Sequence, residues 1–152
     1  MANMKILIFV ALLFIPLASY AKENVETCKN KTYEILLKGM DSLEYSSLID
    51  FIRCRDYHDG GNLGDLYIQA GLYLEKDPFL YEYILTEEGV HSDPDFKNFF
   101  VMLPPTFVDR YQAQILEYKK REGLVKSFKN ENFRKRVQSV LKQANNRYES
   151  LE

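Results

Sequence analysis

Asp77-Pro78-Phe79-Leu80-Tyr81-Glu82-Tyr83-Ile84-Leu85-Thr86-Glu87-Glu88-Gly89 holds a helix start, a helix body and a helix stop in one uninterrupted run. An aspartate ahead of a proline is a start signal. The carboxylate accepts from the free N–H groups of the first turn, and proline stands where no N–H is needed. Phe79, Leu80, Tyr83 and Ile84 give apolar side chains at three- and four-residue spacing, and Gly89 can adopt the left-handed conformation that ends a helix. The same start recurs 16 residues on at Asp93-Pro94, followed by Phe96, Phe99, Phe100 and Leu103 and stopped by Pro104-Pro105.

Outward from these two anchors the pattern stays helical. Upstream, a helix is expected over 24–38, with Cys28, Ile35 and Leu36 apolar and Gly39 as its stop. A second opens at Asp41-Ser42-Leu43-Glu44, where Asp41 or Ser42 can cap. It buries Leu48, Ile49, Phe51 and Ile52 and ends before His58-Asp59-Gly60-Gly61. A third covers 63–75 with Leu63, Leu66, Tyr67, Ala70 and Leu74 as its stripe. Downstream, a helix opens at Thr106, buries Phe107, Tyr111, Ile115 and Tyr118, and stops at Gly123. The last runs over 131–149 on Phe133, Val137, Val140, Leu141, Ala144 and Tyr148. No stretch alternates with a period of two between hairpin turns, so no sheet is expected.

The fold class is therefore all-α: six or seven short helices in one domain over 22–152. They form either an irregular bundle or a short α-solenoid-like stack, since two copies of the Asp-Pro-aromatic start are too few to establish a repeat.

Residues 1–21 read as a cleavable export signal. Lys5 supplies the positive charge, Ile6 to Ile15 an apolar run, Pro16 the break, and Ser19 and Ala21 the small residues of a cleavage site. An uncleaved anchor would need about 20 apolar residues, and no cysteine stands close enough behind the run for a lipid anchor. The expected location is the periplasm, with the extracellular space as the alternative. Asn30-Lys31-Thr32 is a glycosylation acceptor only in a eukaryotic secretory pathway.

Two cysteines in an exported chain are expected to pair, because those compartments are oxidising. With Gly39-Met40-Asp41 as the turn of a helical hairpin, Cys28 and Cys54 face each other at its open end. The other reading is two buried thiols.

Charge is segregated. Residues 22–105 carry 8 basic and 16 acidic side chains, net −8, whereas 106–152 carry 11 basic and 6 acidic, net +5. The basic runs Lys119-Lys120-Arg121 and Arg134-Lys135-Arg136 read as solvated helix faces. Nucleic-acid binding calls for a basic domain, and this one is mildly acidic. A dipolar molecule of this kind suits a basic partner surface or head-to-tail self-association, including a homodimer.

Neither cofactor nor metal is expected. No phosphate-binding glycine loop, zinc-ligand spacing or nucleophile elbow occurs. Carboxylate pairs such as Glu87-Glu88 and Asp93/Asp95 leave a hydrolytic or lytic enzyme open as an alternative. The segment Arg55-Asp56-Tyr57-His58-Asp59-Gly60-Gly61-Asn62-Leu63-Gly64-Asp65 is the densest in polar groups. Counted from Asp56 it misses the calcium-loop pattern, with His58, Gly60 and Tyr67 where oxygen ligands belong. It reads as a helix connection capped by Asp59 or Asn62, or as an exposed recognition loop. On the second reading Asp56, Asp59 and Asp65 steer a partner, with His58 among them, while Tyr57 and Tyr67 anchor it. Tyr73, Tyr81 and Tyr83 extend the same tyrosine cluster.

The function expected is a small exported protein-binding module that meets a basic protein surface. Its sharpest form is an immunity protein that inhibits a toxin delivered into the periplasm. The alternatives are the carboxylate enzyme and a helical carrier of a hydrophobic ligand.

Overall fold

The structure, a computed structural model, describes residues 28–107 and 109–149, the side chains of 148 and 149 excepted. The expected export signal, the start of the first expected helix before Cys28 and the side chain of Tyr148 lie outside the described residues. Within them the chain forms seven α-helices and no strand: α1 (Tyr33–Asp41), α2 (Tyr45–Cys54), α3 (Gly60–Lys76), α4 (Pro78–Glu87), α5 (Asn98–Val101), α6 (Tyr111–Val125) and α7 (Glu131–Glu149). Short 3-10 turns at Arg55–Tyr57, Val90–Ser92, Pro94–Lys97 and Pro105–Phe107 link them.

Helix α3 is the hub. It packs on α1, α4, α5 and α6, while α6 and α7 form a hairpin with the most extensive contact in the molecule. In a solenoid each unit touches only its neighbours in sequence, so this arrangement is an irregular bundle. One apolar cluster runs through it, from Leu36 and Met40 through Phe51, Leu66, Tyr73 and Tyr81 to Phe100, Phe128, Val137 and Leu141.

The first hairpin is tied by the Cys28–Cys54 disulfide, whose Cα atoms are 5.3 Å apart. The pairing agrees with the sequence, but its geometry differs in two ways. The helix expected over 24–38 is interrupted at residues 30–32, where Lys31 N–H turns back to the Cys28 carbonyl and Thr32 takes an extended backbone ahead of α1. Lys31 then reaches Asp50 of α2 at 2.5 Å. Gly39 also does not stop the helix. It is buried inside α1, and a Cβ there would stand 2.0 Å from Ser47 Oγ, so the glycine is needed for α2 to approach.

Termination falls to Leu43, whose φ of 53° is left-handed. Leu43 N–H bonds the Met40 carbonyl and Glu44 N–H the Gly39 carbonyl, the paired bonds of a Schellman end. A leucine in this conformation costs about 1–2 kcal/mol, and its side chain offsets part of that by packing on the core. Neither Asp41 nor Ser42 caps α2; that position belongs to Glu44, without a side-chain bond.

At α4 the start signal is realised: Asp77 Oδ1 accepts from Phe79 and Leu80 N–H, both at 3.1 Å, and Gly89 is left-handed at φ 74°. Its buried face is rotated from the expected one: Ile84 is buried and Leu80 half-buried as expected, but not Phe79 or Tyr83. Tyr81, Glu82, Ile84 and Leu85 point inward, whereas Phe79 and Tyr83 are exposed. Asp93 caps as expected, through Asp95 N–H at 2.7 Å, but it opens a 3-10 turn that leads into the short α5. Helix α6 begins at Tyr111 rather than Thr106 and passes through Gly123 to Val125. Helix α7 matches its expected bounds at both ends.

In the basic runs Lys119, Lys120 and Lys135 are exposed as expected, but the arginines also make structural bonds. Arg121, 1% exposed, donates to the Phe100 and Met102 carbonyls at 2.8 and 3.2 Å and to Glu117 at 3.0 Å. It does not face solvent because Gly71 of α3 leaves room for its guanidinium. Arg134 donates to the Phe128 carbonyl, and Arg136 to the carbonyls of His91 and Asp93 while lying 3.8 Å from the Phe96 ring centroid. No helix among the described residues is long and apolar enough to cross a membrane.

Candidate functional site

The segment Arg55–Asp65 is a 3-10 turn, two extended residues and the first turns of α3, not a glycine loop. Gly60 starts the helix from a left-handed φ of 51°, and Asp59 holds the N-cap position without bonding through its side chain. Arg55 anchors the turn from below by a salt bridge to Asp93 and a bond to the Ile52 carbonyl. Beyond that anchor Asp56, Tyr57 and Asp59 are exposed, with Tyr57 at 52%.

His58 is half-buried, and its Nε2 has no hydrogen-bond partner among the described residues. Burial lowers its pKa, opposed in part by Asp59. Tyr67 belongs to the interior: its ring meets Phe51 and Phe99 edge-on at 5.2 and 4.9 Å. Burial pushes its phenol up. A core residue and a partner anchor are incompatible roles for one ring, and the core role is the one Tyr67 takes. Tyr73 and Tyr81 are buried too, donating to the carbonyls of Glu44 and Phe99, so of the five clustered tyrosines only Tyr57 and Tyr83 face out.

Asp65 lies two residues before the buried Tyr67, on the exposed side of α3, and faces α1. There the Tyr33 hydroxyl donates to it at 3.0 Å, a bond that also raises the Tyr33 pKa. The two residues border a groove of about 270 Å³ between α1, α3 and the Pro104-Pro105 corner. Leu37, Ile68 and Leu72 line it, and the exposed Asp41 is its second carboxylate. The groove thus places two negative charges over an apolar floor, which suits the aliphatic stem and cationic head of a lysine or arginine. Tyr33 and Asp41 were not expected here, because the register of α1 on α3 brings them to Asp65.

A second depression, of about 260 Å³, lies between α4 and the α6–α7 connection. Phe79 and Tyr83, one turn apart and 52% and 61% exposed, form its walls with Thr86. Glu82 at its base is buried and accepts from Lys129 N–H at 2.7 Å and Asn130 N–H at 2.6 Å. The Lys129 ammonium stands 5.6 Å from the Phe79 ring centroid, and Thr86 Oγ1 is buried without a partner among the described residues. A third, about 350 Å³, is lined by Met102, Leu103, Phe107, Tyr111 and Tyr118.

Of the carboxylates that leave hydrolysis open, Glu87 and Asp95 are exposed, whereas Glu88 and Asp93 hold structural posts. Glu88 takes a two-pronged bond from Arg53 at 2.7 and 2.8 Å, and Asp93 combines a cap with the Arg55 salt bridge. Among the described residues no three His, Cys, Asp or Glu side chains are grouped so as to hold a metal ion. No protein-family model, curated protein or solved structure matches this chain.

Proposed function

We propose that this chain is an exported protein-binding module that receives a basic segment of its partner in the groove between α1 and α3. The observation carrying the reading is that groove: Asp41 and Asp65 stand over Leu37, Ile68 and Leu72, in the half of the sequence that is net −8. Long-range attraction from that half steers encounter, and the apolar floor holds the stem of the bound residue. Asp56 and Asp59 add to the steering from the turn before α3. An immunity protein that neutralises a periplasmic toxin is the most specific form of this reading, and it rests on size, expected export and acidity.

The test is a pull-down from periplasmic extract, and from cultures that carry the neighbouring genes, with wild type and an Asp41→Lys/Asp65→Lys variant. The expected result is a partner retained by wild type and lost by the variant, with an association rate that falls as salt shortens the screening length to about 10 Å. A chain that retains no partner and degrades peptidoglycan would replace this reading with the enzyme. A lipid found bound in the third depression would replace it with the carrier.

A further inference from the structure

We propose that the chain pairs with a second copy of itself, the Asp56-Tyr57-His58-Asp59 turn of each copy seated in the depression between α4 and the α6–α7 connection of the other. The depression is separate from the α1–α3 groove, so the pairing goes beyond the binding function above; the two share only Asp56 and Asp59, which steer there and make contact here.

The depression has a definite chemistry. Phe79 and Tyr83 expose about half or more of their area side by side, which leaves an aromatic wall uncovered in the monomer. The charge of Glu82 is engaged by two backbone N–H groups. The Lys129 ammonium forms no salt bridge among the described residues and rests on the Phe79 face. The ligand that fits is an aromatic ring with a polar tip, flanked by carboxylates: the ring covers the wall, the carboxylates meet Lys129, and the tip satisfies Thr86 Oγ1.

The chain displays that ligand on its own surface. Tyr57 is 52% exposed between the exposed Asp56 and Asp59, on a turn held rigid by Arg55. Other large exposed apolar side chains fit less well: Ile35 and Leu116 lack a polar tip, and Tyr111 comes directly after Arg110. Each copy carries both the turn and the depression. A two-fold axis makes the contact twice, closes the assembly and removes six exposed aromatic rings and two cations from water.

The experiment is sedimentation equilibrium of the oxidised chain over a concentration series. Wild type is expected to be a dimer, and Tyr57→Ala and Phe79→Ala each to weaken it by about ten-fold or more, the scale of an interface aromatic. Lys129→Glu alone, and Asp56→Lys/Asp59→Lys alone, are each expected to be monomeric, because depression and turn then repel. Mixing these two variants should restore a dimer, since each depression then meets a turn of opposite charge. All five positions are exposed, so melting curves should stay close to wild type.

A wild type that is monomeric at about 0.1 mM overturns the pairing. So does a dimer unaffected by either charge variant, or a mixture that stays monomeric. Failure here is distinguishable from failure of the binding function: a monomer that still captures its partner through Asp41 and Asp65 sinks only the pairing, whereas a dimer without a partner sinks only the other.

Discussion

The acidic front of the molecule and its basic back use their charges differently. In α6 and α7 the arginines are structural fasteners: Arg121, Arg134 and Arg136 all donate to backbone carbonyls that no helix satisfies. In and between the first three helices several carboxylates stay at the surface: Asp41, Asp56 and Asp59 are exposed, and Asp65 accepts from the Tyr33 hydroxyl. Counting residues gives −8 against +5, and a guanidinium bonded to neutral carbonyls keeps its charge. What differs is freedom: Arg121 is buried and fixed in place, whereas the exposed carboxylates can move to meet a partner. Substitutions in the back should therefore register in stability, and those in the front in association.

Arg121→Met tests that contrast hardest. It leaves the Phe100 and Met102 carbonyls without their donor and Glu117 with only Lys120 as its cation, and removing one member of a buried charged set costs about 3–5 kcal/mol. A fall in melting temperature of roughly 10 °C or more is expected. A melting curve close to wild type would mean the back of the molecule is not fastened this way.

Next in size is the disulfide. Cys54→Ala opens a loop with a sequence separation of 26 and should cost about 3 kcal/mol. Denatured, unreduced wild type should show no free thiol; two titratable thiols would refute the bond. Glu82→Gln is smaller again. Gln keeps one acceptor for the Lys129 and Asn130 N–H groups but loses the charge, and a loss of about 1–2 kcal/mol is expected in denaturant unfolding.

The front should respond weakly in stability. Asp56→Asn/Asp59→Asn is expected to shift unfolding by no more than about 0.5 kcal/mol, while slowing partner association at low salt. Its response to pH near neutrality comes from His58. Burial holds its folded pKa below the ordinary 6.5, so below that pH the unfolded chain takes the proton more readily. Stability from this residue is complete above about pH 6.5 and is lost as pH falls. His58→Gln should flatten the difference in melting temperature between neutral and mildly acid buffer. An unchanged slope would show that the imidazole does not feel its burial.

Legibility in the sequence tracks the range of each interaction. Asp77, Asp93 and Gly89 act on N–H groups or dihedrals within a few residues, and all three were legible. So were the bounds of α7, where the apolar stripe is narrow and the opposite face is charged. Helix α4 was mis-phased because Phe79, Leu80, Tyr81, Tyr83, Ile84 and Leu85 are apolar on nearly every side, so periodicity could not choose the inward face. Gly39, Leu43 and Arg121 were misread for another reason. Their roles depend on Ser47, on the core beneath the turn and on Gly71, none of which a local pattern contains. The site divides the same way: Asp56, Tyr57 and Asp59 are exposed as expected. Tyr33 and Asp41 entered only through the register of α1 on α3.

Gly71 and Arg121 are bound to a joint history. A Cβ at position 71 would stand 3.1 Å from Nη1 of Arg121 and 3.4 Å from its Cζ, with carbonyls fixing the guanidinium on the far side. Gly71→Ala alone crowds the guanidinium, and Arg121→Met alone strands its acceptors, so neither position can drift while the other is kept. Together they need not cost the sum, because the second change removes what the first collided with. Related chains should therefore keep glycine and arginine as a pair or exchange both, and a double-mutant cycle would measure that epistasis directly.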